Sequence, residues 1–231
     1  MQFNAISSVT RGLDLQIASE IARQILSGKI LPGTILPSEV DLCEQFGVSR
    51  TALREALKLL SSKGLLESRP KIGTRVRPRT FWNILDVQLL EWLSGIEATE
   101  EMYHQFLDFR RVIEPHATML AATNATKEQR IELSKIYREM CRVAEDFEPE
   151  AWVNIDTQFH RMIFLSSGNC FYMPFGNVLT TVFKWFISYS SAAGGMCLND
   201  HHLIYQAIMI GDAQAAYEAS LGLMKSSKHR L

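Results

Sequence analysis

Gly47 is a helix stop set between two helix starts. Ser38, within Pro37-Ser38-Glu39, and Ser49 each offer a hydroxyl cap ahead of an apolar-periodic run, and Gly47 supplies the break between them. A chain that must start a helix near Ser38, stop it at Gly47 and start another at Ser49 has room for two short helices and a tight turn. The first is expected to carry Val40, Leu42 and Phe46 inward. The second is predicted over about 50–63 and stops at Gly64. On its wheel Leu53, Ala56, Leu57 and Leu60 share one arc, while Thr51, Arg54 and Lys58 share the next. Two helices joined this way form a helix-turn-helix, whose second helix enters the major groove of DNA.

The flanks complete a winged version of that motif. Leu13, Ile17, Ile21, Ile25 and Leu26 give residues 13–27 the period of an amphipathic helix. After the second helix, Leu65–Ser68 and Thr74–Arg77 read as two short strands around a basic tip, Arg69-Pro70-Lys71-Ile72-Gly73. Pro78-Arg79-Thr80 reads as a linker. Charge divides at the same place. Residues 1–80 hold twelve Lys/Arg against seven Asp/Glu, a net of +5, and the rest of the chain holds twelve against eighteen, a net of -6. A basic half suits a polyanion. Arg54 has the planar fork that reads guanine O6 and N7, and Lys58, Arg69, Lys71 and Arg75 suit phosphates, where charge matters more than geometry. A solvated basic helix face is the plain alternative for Arg50 and Arg54 taken alone.

From residue 81 onward the period is helical. Helices are predicted over 82–94, 99–123, 127–146, 150–167, 172–190, 199–210 and 212–227, with no strand of similar quality. The expected fold is therefore mainly α: a winged helix-turn-helix domain over 1–78 and an all-α helical bundle over 79–231. The four cysteines, Cys43, Cys141, Cys170 and Cys197, form no CxxC pair and read as reduced thiols. The sequence shows neither a signal peptide nor an apolar run long enough to span a bilayer, so a cytoplasmic protein with no membrane association is expected.

Leu36-Pro37-Ser38-Glu39, Gly47 through Leu57, Gly64-Leu65-Leu66-Glu67 and the Gly73-Thr74 wing closely resemble the signature of the GntR family of transcription regulators over about residues 14–77. The resemblance implies that Arg50 and Arg54 contact bases, within a DNA face made of Ser49, Arg50, Thr51, Arg54, Lys58, Arg69, Lys71 and Gly73. It also implies one missing contact, because the family often has an arginine where this chain has Val40. Phe109 through Pro115, Asp156-Thr157-Gln158-Phe159-His160, Ser167-Gly168-Asn169 and the stretch from His201 to Ala216 resemble the FCD effector domain of the FadR-type branch. Trp82 through Asp86, with Leu90 and Trp92, is similar to the sugar-acid regulators of that branch.

Asp156 and His160 are four residues apart and share a helix face; with His201 they offer three N/O ligands that suit zinc, nickel or manganese. The same three residues also fit a polar core in which Asp156 orients His160. Aligned on the family pattern, a fourth ligand, a histidine, falls at Leu223, and His229 lies six residues later. The resemblance further places a carboxylate-binding arginine at Arg110, four residues before Glu114-Pro115. Lys184 is a second candidate for effector binding, and Trp185, Phe186 and Tyr189 are candidate cavity walls.

Together these readings predict a DNA-binding repressor released from an operator by a small carboxylate such as a sugar acid, acting as a homodimer on an inverted repeat. A regulator for which the divalent ion is itself the signal is the alternative. An enzyme using the same three ligands to activate water is disfavoured, since no general base accompanies them and the winged domain would have no role.

Overall fold

The computed structural model describes residue 3 and residues 12–96, 99–184 and 197–225, without the side chains at 99, 100 and 184. The chain divides into two compact units, Met1–Thr99 and Glu100–Leu231.

The first unit contains α1 (Leu13–Leu26), α2 (Glu39–Phe46), α3 (Arg50–Ser62), β1 (Leu66–Arg69), β2 (Gly73–Val76), a 3-10 turn (Arg79–Phe81) and α4 (Val87–Leu93). The punctuation that predicted α2 and α3 acts as expected. Ser38 Oγ accepts from the Asp41 N–H at 3.2 Å, and Asp41 accepts from the Ser38 N–H at 3.3 Å, a reciprocal cap. Gly47 takes the left-handed φ of 69° that ends the helix, and Ser49 Oγ accepts from the Ala52 N–H at 3.3 Å to begin α3. Ile17, Ile21 and Ile25 of α1 join Leu42, Phe46, Leu53 and Leu60 in a closed core.

Three local expectations are corrected. Val40 does not point inward; it is 47% exposed, because Leu42 and Phe46, one turn apart, already define the buried stripe of this two-turn helix. The strands begin one residue later and earlier, respectively, pairing Leu66 with Val76 and Arg69 with Gly73. Leu65 is excluded from the ladder's first rung because its N–H closes α3 onto the Leu60 carbonyl at 3.0 Å. Residues 82–86 are not helical. The Asn83 N–H donates to the Lys63 carbonyl, Trp82 Nε1 donates to the Arg77 carbonyl, and Asp86 caps α4 by accepting from the Leu89 N–H at 2.9 Å. Lys63, itself buried, adds an ion pair to Asp86 at 2.7 Å. Gly64 makes this docking possible: at φ +77°, a Cβ there would stand 2.0 Å from the Phe81 carbonyl oxygen. Residues 81–86 therefore fold back on the end of α3, and α4 packs on α1.

The second unit contains α5 (Thr99–Asn124), α6 (Lys127–Glu145), α7 (Pro149–Ser166), α8 (Met173–Lys184), α9 (Leu198–Ile210) and α10 (Ala213–Lys225). Thr126 and Gln129 cap α6 reciprocally, and Glu148 caps α7 just ahead of Pro149 at its first position. Gly211, in the left-handed conformation, separates α9 from α10. α7 packs against α6 and α8, and α9 packs against α6 and α10. Phe159, Ile163, Phe164, Met140, Ile204 and Leu223 fill the interior. The α8 prediction extended to residue 190; positions 185–190, with Trp185, Phe186 and Tyr189, lie outside the described residues, as does His229.

Candidate functional site

Two sets of residues carry chemistry, one in each unit. The first is the exposed side of α3 and the wing. Ser49, Arg50, Thr51, Arg54 and Lys58 are all exposed, as the packing of Leu53, Ala56, Leu57 and Leu60 into the core requires. Arg69, Lys71 and Gly73 are exposed on the hairpin, with Lys71 at φ 64° and Gly73 at φ 111° turning its tip. Four cations of this region have acidic neighbours. Arg54 Nε meets Glu39 at 2.9 Å, Lys58 meets Glu55 at 2.7 Å, and Glu67 holds both Arg75 and Arg69, at 2.5 and 3.1 Å. Glu39 is the first residue of α2. Its contact with Arg54 joins the starts of the two helices and orients the guanidinium.

The second set lies inside the second unit. Asp156 and His160, one turn apart on α7, and His201, in the first turn of α9, each present one ligand atom, and these atoms lie within 4.8 Å of one another. His201 Nε2 is 2.9 Å from Asp156 Oδ1 and 3.3 Å from His160 Nε2. His160 Nε2 is 3.6 Å from the same Asp156 oxygen. All three side chains are buried.

α5 supplies the neighbours. Arg110 and Glu114, one turn apart and both buried, form an ion pair through Arg110 Nε, with Nη2 at 3.3 Å from the other carboxylate oxygen. That other oxygen also meets His160 Nδ1. His201 Nδ1 lies 2.9 Å from the Cys197 carbonyl. The Phe183 ring covers Arg110, its centroid 4.7 Å from the guanidinium carbon. The chain of contacts thus runs Arg110, Glu114, His160, Asp156, His201, each carboxylate standing between two nitrogen-bearing side chains.

The electrostatics follow from that order. Burial works to raise the Glu114 carboxyl, but Arg110 and His160 outweigh it and bring it down to about 2. Burial opposes the Asp156 charge in the same way, and His160 and His201 hold it well below the usual carboxylate range. For His160, burial and Arg110 favour the neutral ring, yet Glu114 and Asp156 prevail and raise it. Burial pushes the nearby Tyr103 hydroxyl up to about 12, Arg110 opposing and Asp156 assisting.

The three predicted ligands are therefore brought together. Arg110 lies one carboxylate away from them, already engaged by Glu114. Lys184 ends α8, but its side chain lies outside the described residues. Leu223 is buried on α10 and brings no nitrogen. Sequence reasoning quoted Glu114 only as part of a motif; its spacing of four from Arg110 is the signal that pairs them.

The ligand set tests well for a divalent cation. A histidine whose Nδ1–H faces a carboxylate or carbonyl keeps a lone pair on Nε2; here His201 Nδ1 meets the Cys197 carbonyl, and His160 Nδ1 lies in close contact with the Glu114 carboxylate. Two such Nε2 atoms and a carboxylate oxygen pointed at one spot are the donors that a borderline metal takes.

A winged helix-turn-helix with a basic face, carried in one chain with a helical bundle that buries a His/carboxylate cluster, defines a DNA-binding transcription regulator. The chain belongs to the GntR family of bacterial regulatory proteins, whose family model matches residues 13–76, and the FCD domain model matches residues 105–226. It is 40% identical over 220 residues, 94% of each chain, to YieP, an uncharacterised HTH-type transcriptional regulator of Escherichia coli (strain K12). It is 29% identical over 94% of this chain and 95% of the other to the galactonate operon transcriptional repressor of the same organism. Among solved structures, a GntR protein of Streptococcus agalactiae is similar at 25% identity and a TM-score of 0.51, over 94% of this chain and 99% of that one. No helix among the described residues is long and apolar enough to cross a membrane.

Proposed function

We propose that this regulator is a repressor whose operator affinity falls when a small carboxylate, such as a sugar acid, enters the buried cluster of its second unit. The observation that carries this reading is the charge of that cluster. Arg110 is positive, and Glu114 and Asp156 are negative, so with neutral imidazoles the set sums to -1. A dication changes the sum to +1, and an anionic ligand returns it to zero. Burying a charge is costly unless it is compensated, so a cluster loaded in this way favours a carboxylate over a neutral metabolite. Asp156, His160 and His201 would hold the ion, be it zinc, nickel or manganese. When bound, it supplies positive charge and open positions for oxygen donors. The galactonate repressor, at 29% identity, supports the sugar-acid class.

On the DNA side, Arg50 and Arg54 are proposed to read base edges, and Lys58, Arg69, Lys71 and Gly73 to hold the backbone, with Ser49 and Thr51 at the start of α3. One winged domain offers few base contacts, so two copies on a two-fold axis would read an inverted repeat in the cytoplasm. Light scattering of the free protein and of its operator complex checks the dimer; a monomer in both states overturns it.

Linkage makes the functional test direct. An effector that weakens operator binding must bind the DNA-free form better by the same factor. Aldonates titrated into the protein–operator complex, with and without a chelator, are expected to release DNA only in the metal-loaded arm. Release by the metal alone favours the ion as the signal, and release by neither rejects both readings.

A further inference from the structure

Glu114 stands at the centre of the buried cluster without being one of its three convergent ligand residues. Its side chain is 0% exposed, and its carboxylate is shared between Arg110 on its own helix and His160 on α7. Arg110 alone would neutralise the charge. The contact with His160 goes further, because it decides which ring nitrogen carries the proton. With Nδ1–H donating to Glu114, the His160 Nε2 lone pair is directed at the point that Asp156 Oδ1 and His201 Nε2 also face. His201 is set in the same sense by a backbone carbonyl, that of Cys197, which no side-chain substitution removes. His160 is thus the ligand whose orientation depends on one replaceable side chain.

We propose that Glu114 is a positioning residue: it holds His160 in the Nδ1–H tautomer that leaves Nε2 free to bind a divalent cation together with Asp156 and His201. The inference rests on the metal reading above and extends it to a residue outside the ligand set.

Replacing Glu114 with glutamine discriminates sharply. The carboxylate accepts hydrogen bonds on both sides, from Arg110 and from His160. An amide has one accepting oxygen and one donating nitrogen. Arg110, as the charged donor, takes the oxygen. The amide N–H then faces His160 Nδ1, which must become an acceptor, and the ring proton moves to Nε2, into the cation site. The variant therefore keeps the size of the side chain while reversing the histidine.

The test uses the full chain, stripped of metal, and Co2+ alone as the probe. Long-range 1H–15N correlation at a pH where the rings are neutral reads the His160 tautomer, and Co2+ absorption with chelator competition reads affinity. The wild type is expected to show Nδ1–H and to bind Co2+. E114Q is expected to show Nε2–H and a Co2+ affinity lower by about 10- to 100-fold. Should E114Q not fold, E114D keeps the charge that Arg110 needs, is one methylene too short to serve both partners, and is expected to show the same direction of loss. A wild-type protein that takes up no Co2+ overturns the ligand set, and this inference with it. A wild type that binds Co2+ while the folded Glu114 variant matches it in affinity and tautomer overturns the role of Glu114 alone.

Discussion

His160 and His201 face each other through their Nε2 atoms at 3.3 Å, and Asp156 Oδ1 lies 2.9 Å from the second of them. Two imidazole lone pairs and a carboxylate oxygen at that separation repel unless a proton or a cation lies among them. The cluster therefore has two ways to be stable: a proton held among these atoms, or a bound ion. The competition between them links the site to its surroundings and makes each member open to test.

Removing one ligand is expected to separate sensing from DNA binding. His160→Ala leaves two donors, too few for a tight site, and its methyl side chain remains in an enclosed part of the second unit. Metal content and effector response should fall together, while operator affinity without effector stays within about threefold of wild type, roughly 0.7 kcal/mol. Metal analysis and operator titration on one preparation check this. Full effector response from rigorously metal-free protein would reject the metal role and leave the three residues as a polar core.

Acid should destabilise the metal-free protein through the same groups. A carboxyl held down to about 2 in the folded state, against an ordinary 4.5, contributes stability that is present above 4.5 and lost as the pH falls toward 2. For Glu114 this is on the order of 3 kcal/mol. Asp156 acts in the same direction. His160, raised, has the opposite sign: its share is present below the ordinary value of 6.5 and is lost as the pH rises through its folded value. Melting of the metal-free protein across pH 3 to 8 reads both limbs. Glu114→Gln should make the acid limb shallower; an unchanged acid limb would show that Glu114 is not held ionised.

The DNA face predicts two different kinds of loss. Arg54→Ala should reduce discrimination between operator and mismatched DNA by about 1–3 kcal/mol. Lys71→Ala should weaken all sequences alike and lower the slope of log affinity against log salt by about one. Glu39 bears on the first case, since it lies 2.9 Å from Arg54 Nε in an exposed ion pair that DNA contact would compete with. Binding curves for both variants at several salt concentrations decide the matter, and operator preference that survives Arg54→Ala shows that the groove assignment is wrong.

Periodicity and capping made the helices legible, because Ser38, Gly47, Ser49 and Gly211 act through their own backbone neighbours. The Asp156, His160 and His201 cluster was legible for a related reason: Asp156 and His160 share a face by spacing alone, although joining His201 to them needed the chemistry of the residue types. Residues 82–86 were misread because their hydrogen bonds go to Lys63 and Arg77, partners that no local pattern reveals. Val40 was misread because a two-turn helix has too few residues to separate a buried stripe from a chance neighbour. The contacts of Glu39 with Arg54 and of Glu114 with His160 join different helices, and pairing across helices is a property of packing rather than of spacing.

Arg110 gives the most exacting test, because its two possible roles predict different behaviour for two substitutions. Its guanidinium has five N–H donors, and Glu114 accepts from Nε and Nη2. The proposed effector carboxylate would be met by the remaining donors. Arg110→Ala removes both sets and strands Glu114 as a buried charge, a loss of about 3–5 kcal/mol in stability whatever the effector does. A shifted response from that variant alone would prove little. Arg110→Lys keeps a positive charge beside Glu114 and so should fold, but a point charge cannot reproduce the fork. If Arg110 reads the carboxylate, the lysine variant should bind operator normally and need about 10-fold or more additional effector for release, near 1.4 kcal/mol. In cells it should repress at effector levels that induce the wild type. If the lysine variant instead releases DNA at the wild-type concentration, Arg110 serves Glu114 and stands outside the effector site. Lys184, at the end of α8, is then the next cation to replace.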